Sequence, residues 1–271
     1  MHITKTALAA LTATAAAQAT SEATVSIAPN TTIQATVRID ITHSTFGSSN
    51  DTEQNNHSLQ GPMHITMSPN NPPWANIGQD SMNLQLGGAI YNFSFFCFPF
   101  IGCQNLNVNL SSVVITMSAP AASPLSGTGT YSMPNVPVNL HAEYSTTGID
   151  TGTYVLDQPA TVNITGRLTQ TAGVAKVDQF SLGSLIFDVP PESLPANVTA
   201  IRLTITPNLS QVSFNGPWSV VPSPDFNGDG SVNGLDLGVL LSAWGTTQGD
   251  INGDGTTDGA DLGLVLSAWT G

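Results

Sequence analysis

From about Thr20 to Val221 apolar and polar residues alternate along the chain. In TIQATVRIDIT, Ile33, Ala35, Val37, Ile39 and Ile41 fall on one side, and Thr32, Gln34, Thr36, Arg38 and Asp40 on the other. Strand side chains point alternately to opposite faces, so this pattern predicts strands with one buried face. It returns over 136–144, 162–168 and 201–205, and more briefly over 63–67, 82–86 and 106–110. The clusters SPNNPP, SAPAASPLSGTG and VPPESLPAN separate these runs and predict turns. Lysine and glutamate, good surface helix formers, are nearly absent. The expectation is a mainly β protein whose body is one antiparallel domain of about nine to eleven strands, a sandwich or a barrel.

One stretch breaks the alternation. AIYNFSFFCFPFIG carries phenylalanines on both faces. Two readings stay open: a central strand buried on both sides, or an aromatic surface exposed to a ligand or lipid. Cys97 and Cys103 flank its end, and they read either as a disulfide closing a small loop or as buried free thiols.

After Val221-Pro222-Ser223-Pro224 the spacing becomes helical. Leu237, Leu240, Leu241 and Trp244 are spaced to line one face of a short helix, and Leu262, Val265, Leu266 and Trp269 repeat that spacing. Gly238 and Gly263 fall inside these helices and weaken them. Something beyond helix propensity must hold them. The organisation read from the chain is therefore 1–19 as an export signal, 20–221 as the β domain and 222–271 as a small helical module.

The export call rests on the basic MHITK, the apolar TALAALTATAAA and the small residues of Ala17-Gln18-Ala19. It predicts a mature chain starting near Thr20, secreted or held at the cell surface. No later run approaches the ~20 apolar residues of a spanning helix, so none is expected. The 271 residues carry a formal net charge of −13 with only 8% charged positions. With no basic patch to meet phosphates, nucleic acid is not an expected partner.

Charge also points to the tail. DFNGDGSVNGLDLGVLLSAWG and DINGDGTTDGADLGLVLSAWT hold seven aspartates and neither lysine nor arginine. A twelve-residue calcium loop places oxygen ligands at positions 1, 3, 5, 7, 9 and 12, with glycine at 6. Asp225, Asn227, Asp229, Ser231 (through its carbonyl), Asn233 and Asp236 fill that register. Asp250, Asn252, Asp254, Thr256, Asp258 and Asp261 fill it again, with Gly230 and Gly255 at the turn. Calcium takes six to eight hard oxygen ligands, and the clustered carboxylates repel one another without a cation. Two calcium ions are the expected cofactor.

This duplicated tail resembles a dockerin module, in which aspartate at position 12 precedes a leucine-rich helix. Its SAW ending is similar to tails on exported proteins of planctomycete-type bacteria. The resemblance covers 222–271 and implies a calcium-dependent fold that docks onto a cohesin-like or other surface protein, often in assemblies acting on polysaccharides. Two departures are visible: few residues separate the repeats, and positions 10 and 11 hold Gly234-Leu235 and Gly259-Ala260, where members that bind the best-known cohesins often carry Ser-Thr.

The β region shows neither a GxSxG elbow nor an HExxH helix. His141 and Glu143 share a strand face, as a proton-exchanging or metal-binding pair or as plain polar surface. Asp40, Asp150, Asp157, Asp178 and Asp188 offer carboxylates for glycoside hydrolysis, but no two are marked as partners. Trp74, in NNPPWANIG, is the candidate aromatic platform for a sugar, or else a cap on the core. Three functions follow. The first is a non-catalytic exported or cell-surface β module attached through a calcium tail. The second is an extracellular glycoside hydrolase-type enzyme or sugar-binding component. The third is an apolar-ligand or lipid-binding barrel. A membrane-spanning barrel is a minor fourth.

Overall fold

The computed structural model describes residues 20–68, 72–189, 191, 194, 196–220, 223–227, 231–252 and 254–271. The signal call at 1–19 and the loop residues Gly230 and Asp229 lie outside the described residues. The chain divides into two compact units, a β body (Ser21–Met67 with Pro72–Ser219) and a C-terminal unit that contains Val220–Gly271.

Among the described residues thirteen strands form one sheet system. They are β1 (Ser21–Ile27), β2 (Thr32–His43), β3 (Gly47–Gln60), β4 (Pro62–Ser68), β5 (Asn76–Phe98), β6 (Gly102–Met117) and β7 (Ala121–Pro124). Then come β8 (Thr130–Gly148), β9 (Gly152–Thr171), β10 (Val174–Ser181), β11 (Leu185–Asp188), β12 (Val198–Pro207) and β13 (Phe214–Val220). Neighbours run β11-β12-β2-β3-β5-β4-β1-β13-β10-β9-β8-β6, and β7 pairs β5. Because β5 also pairs β6, the hydrogen-bonded path through β5, β4, β1, β13, β10, β9, β8 and β6 returns to its start. Strands β2, β12 and β11 continue from β3 beyond that ring.

Four strands are long, with 23 residues in β5, 16 in β6, 19 in β8 and 20 in β9, against roughly five or six in an ordinary strand. Bulges interrupt β5, β8 and β10. Register shifts fall between Phe95 and Phe98, Met133 and Val136, and Asp178 and Ser181. Each contains a residue of positive φ: Phe96 (47°), Asn135 (55°) and Gln179 (52°). An extra residue in one strand increases its twist and re-aims its side chains.

The count exceeds the sequence expectation by two or more strands, and β3 and β7 explain it. β7 has four residues, too few for an alternation to register. β3 reads GSSNDTEQNNHSLQ and has no apolar residue before Leu59. Its backbone pairs β2 from Gly47 to Ser58, but pairs β5 only at Leu59–Leu86 and Gln60–Gln85. Beyond those pairs polar side chains of β3 bond the edge of β5. Asp51 Oδ2 accepts from the Ser94 N–H at 2.7 Å, and Ser49 Oγ from the Phe96 N–H at 3.1 Å. Asn55 Nδ2 donates to the Ile90 carbonyl at 2.6 Å, and His57 Nδ1 to that of Gly87 at 2.6 Å. A carbonyl only accepts, so His57 Nδ1 carries the proton and Nε2 accepts from the Tyr91 hydroxyl at 2.6 Å. Burial raises the Tyr91 phenol to about 12.

The phenylalanine stretch is not buried on both sides. Tyr91, Phe93 and Phe95 alternate inward and are buried, while Phe98 is exposed and Phe100 fully so. The bulge at Phe96 is where the alternation ends. Cys97 and Cys103 form a disulfide across the tip of the β5–β6 hairpin.

In the C-terminal unit, α1 (Gly234–Ser242) and α2 (Gly259–Ser267) carry the repeat. The core there is small: Val232, Leu240 and Val265, with Phe226, Leu237, Ile251, Leu262 and Ala268 packed partly against it. The expected apolar face is therefore only half used. Leu241, Trp244, Leu266 and Trp269 stay 52%, 48%, 54% and 41% exposed. Two helices of nine residues each can bury only the side on which they meet.

Candidate functional sites

The body encloses a cavity of about 730 Å³. One wall is β2 and β12, with Val37, Ile39 and Ile41 beside Ile201, Leu203 and Ile205. The other is built by β5, β6, β8 and β9, with Tyr91, Phe93, Leu106, Leu110, Ala142 and Leu156 among its residues. These are the inward positions of the alternation, so the cavity exists because the two walls do not close on each other. The register sorts its polar groups to one end. Thr146 lies opposite Gly152 beside the β8–β9 turn, and Tyr144 opposite Tyr154. Asp150, in that turn, accepts from Thr146 Oγ1 at 2.9 Å and from the Tyr154 hydroxyl at 3.0 Å. The carboxylate beside it raises the Tyr154 phenol. The two tyrosine rings stack at 5.4 Å. The sequence offered an apolar-ligand body as one reading but did not assemble this site, since its residues come from six strands and the turns between them and carry no motif.

The tail loops are built on their position-12 aspartates. Asp236 is fully buried; Oδ1 accepts from the N–H groups of Phe226 (2.8 Å) and Asn227 (3.2 Å), and Oδ2 from that of Asn233 (2.9 Å). Asp261, equally buried, repeats this with Ile251 (2.7 Å), Asn252 (3.0 Å) and Asp258 (2.8 Å). Those backbone donors hold the Asp261 carboxyl below its usual range, the bond from Asp258 most of all. Asn233 and Asp258 complete a capping box at each helix start. Within loop two the Asp250 carboxylate accepts from Asp254 and Gly255, Asn252 Oδ1 from Asp254, and Asp254 Oδ1 from Thr256. Gly255 has φ of 97°, a conformation that favours glycine.

The repeats also clasp each other. Val232 of loop one exchanges bonds with Thr270 beyond α2. Thr257 of loop two accepts from Gly245 and donates to Thr246 beyond α1. The donor set of the loops is all oxygen, the chemistry a hard cation takes. Among the described residues no three of His, Cys, Asp or Glu form a group that could hold a metal ion.

Elsewhere, His141 lies between two carboxylates, Nδ1 at 2.6 Å from Asp157 and Nε2 at 3.6 Å from Glu143, in the open. It borders a hollow of about 360 Å³ with Asn139 and Gln158. Trp74 is half-buried against the core, its ring edge-on to Trp218 at 5.4 Å, and its Nε1 is buried with no partner. Of the five aspartates considered for sugar chemistry, Asp150 lines the large cavity and Asp157 the small one. Asp40, Asp178 and Asp188 each pair an arginine, which holds their carboxyls low. No helix among the described residues is long and apolar enough to cross a membrane, which says nothing of a β-barrel.

No protein-family model matches the chain, and no curated protein does. Among solved structures, the open-gate secretin InvG of the Salmonella SPI-1 type III secretion injectisome matches at 9% identity. That match covers 94% of this chain and 72% of that one at a TM-score of 0.13, too low to carry fold or function.

Proposed function

We propose that the chain is a non-catalytic β-domain protein of the secreted or cell-surface class, attached through its C-terminal unit. That unit resembles a dockerin; it folds around two calcium ions and docks on a cohesin-like or other surface protein. The observation that carries this reading is the pair of exposed leucine–tryptophan faces. Leu241 with Trp244 and Leu266 with Trp269 are the same residues of the two repeats, left in solvent on a unit that clasps itself symmetrically. Exposed tryptophan is costly surface for a small module, and tryptophan is enriched where partners bind. The body is read as a barrel, supported by the strand path that returns to β5. The carbohydrate-directed reading gains less, since Trp74 packs against Trp218 instead of presenting a free face.

Calorimetric titration of the full chain tests it. Two calcium ions should bind per chain, and the double variant Asp236→Asn with Asp261→Asn should bind neither. A chain that binds no calcium would sink the reading. Trp244→Ala with Trp269→Ala should keep calcium binding and lose retention on the producing cell's envelope.

A further inference from the structure

We propose that the large cavity of the body binds a long apolar molecule whose head donates a hydrogen bond and carries no negative charge, an alcohol or an amine and not an acid. The site lies within the β body and rests on nothing in the C-terminal unit. Three observations carry it. The first is size and lining. About 730 Å³ lies within the roughly 300–1,000 Å³ of small-molecule sites. The walls are aliphatic and aromatic, a poor host for water.

The second is the polar end. Asp150 accepts from Thr146 and Tyr154, and a carboxylate has about four acceptor positions. Lone pairs remain for a donor arriving from the cavity. The third is what the lining lacks. Each of the four described lysines and arginines pairs a carboxylate away from it: Arg38 with Asp40, Arg167 and Lys176 with Asp178, and Arg202 with Asp188. His43 lines the mouth, but its Nδ1 accepts from the N–H groups of Thr45 and Phe46, the role of a neutral ring. A carboxylate or phosphate head would meet the like charge of Asp150 with no counter-ion in the lining, which is unfavourable.

The turns that bound this end expose apolar side chains, and Asp150 is the charged residue among them that lines the cavity. Phe46, Phe98, Phe100, Ile101 and Ile149 are all exposed there. Phe46 packs against both Phe96 and Phe98, and Phe46, Phe96 and Ile149 also line the cavity. An apolar ligand entering here meets no charged barrier before Asp150.

The test adds hexadecanol, hexadecylamine or hexadecanoate to the calcium-loaded full chain at neutral pH, read by native mass spectrometry and competition. The alcohol, the amine or both should bind one per chain, and the acid about tenfold more weakly or worse. Ala142→Phe on one wall, or Ile201→Phe on the other should the first not fold, should abolish binding. Asp150→Asn should cost the amine more than the alcohol. Hexadecanoate binding as tightly as the others overturns the proposal. So does binding of none of the three, or binding that survives a folded, cavity-filling variant.

Discussion

Phe214 in the body is fully buried, its ring edge-on to Phe180 at 5.0 Å. Leu241 in the C-terminal unit follows the fully buried Leu240 and is itself half exposed. The contrast runs through both units. The body is held by a continuous apolar core from Ala23 to Phe214. Among the described residues the C-terminal unit buries four apolar side chains, Val232, Leu240, Ala243 and Val265, and its most enclosed side chains include two aspartates. Burial of apolar surface scales with size, and a unit of some fifty residues commonly needs a metal or a partner to supplement it. Here backbone N–H groups that a small core cannot shelter are satisfied by carboxylates.

The sharpest break between the units should come from chelation. With calcium removed, the C-terminal unit should lose its helical circular dichroism and become open to protease after Val220, while the unfolding of the body stays where it was. A C-terminal unit that keeps its helices without calcium would erase the distinction. Next in size is Phe214→Ala, which should cost the body about 3–5 kcal/mol. Calorimetry should show that loss in the body's transition alone, with calcium affinity unchanged.

The two units were also unequally legible in sequence. Alternation identified β2 and the inward halves of β8 and β9, because each has one face on the core. It could not identify β3, whose inward side chains are the polar Ser49, Asp51, Asn55 and His57 bonded to the edge of β5. A strand that supplies hydrogen bonds in place of apolar surface has no hydrophobic period to find. The cavity was invisible for a related reason: Ile39 reads the same whether it faces packed atoms or a void. In the tail, the spacing located both helices and put Leu241, Trp244, Leu266 and Trp269 on the apolar face, which is covered only in part. A helical period shows which residues share a side, and only the partner decides how wide a side is covered. Asp236 and Asp261 take matching backbone partners in the two loops, because those positions answer to the geometry of one loop, with no distant strand involved.

The β3–β5 seam gives a third, smaller test. Asp51→Ala should cost the body about 1–3 kcal/mol, by leaving the Ser94 N–H without its partner. Asp51→Asn keeps an acceptor and should lose less. If the two variants behave alike, the seam is held by something other than these bonds.

The smallest effect is at His141, and its sign separates surface electrostatics from core stability. The hydrogen bond to Asp157, with Glu143 on the other side, raises the imidazole above its ordinary value. A group with a raised folded pKa stabilises the fold fully below its unfolded value, about 6.5. It loses that contribution as pH climbs through the folded value. Wild type and His141→Gln should therefore differ most in melting temperature near pH 5 and converge at alkaline pH. Salt should shrink the difference, because the three groups are exposed and screened. An imidazole titrating below 6.5 by NMR would show that the carboxylates do not hold its proton. The pair would then be ordinary polar surface.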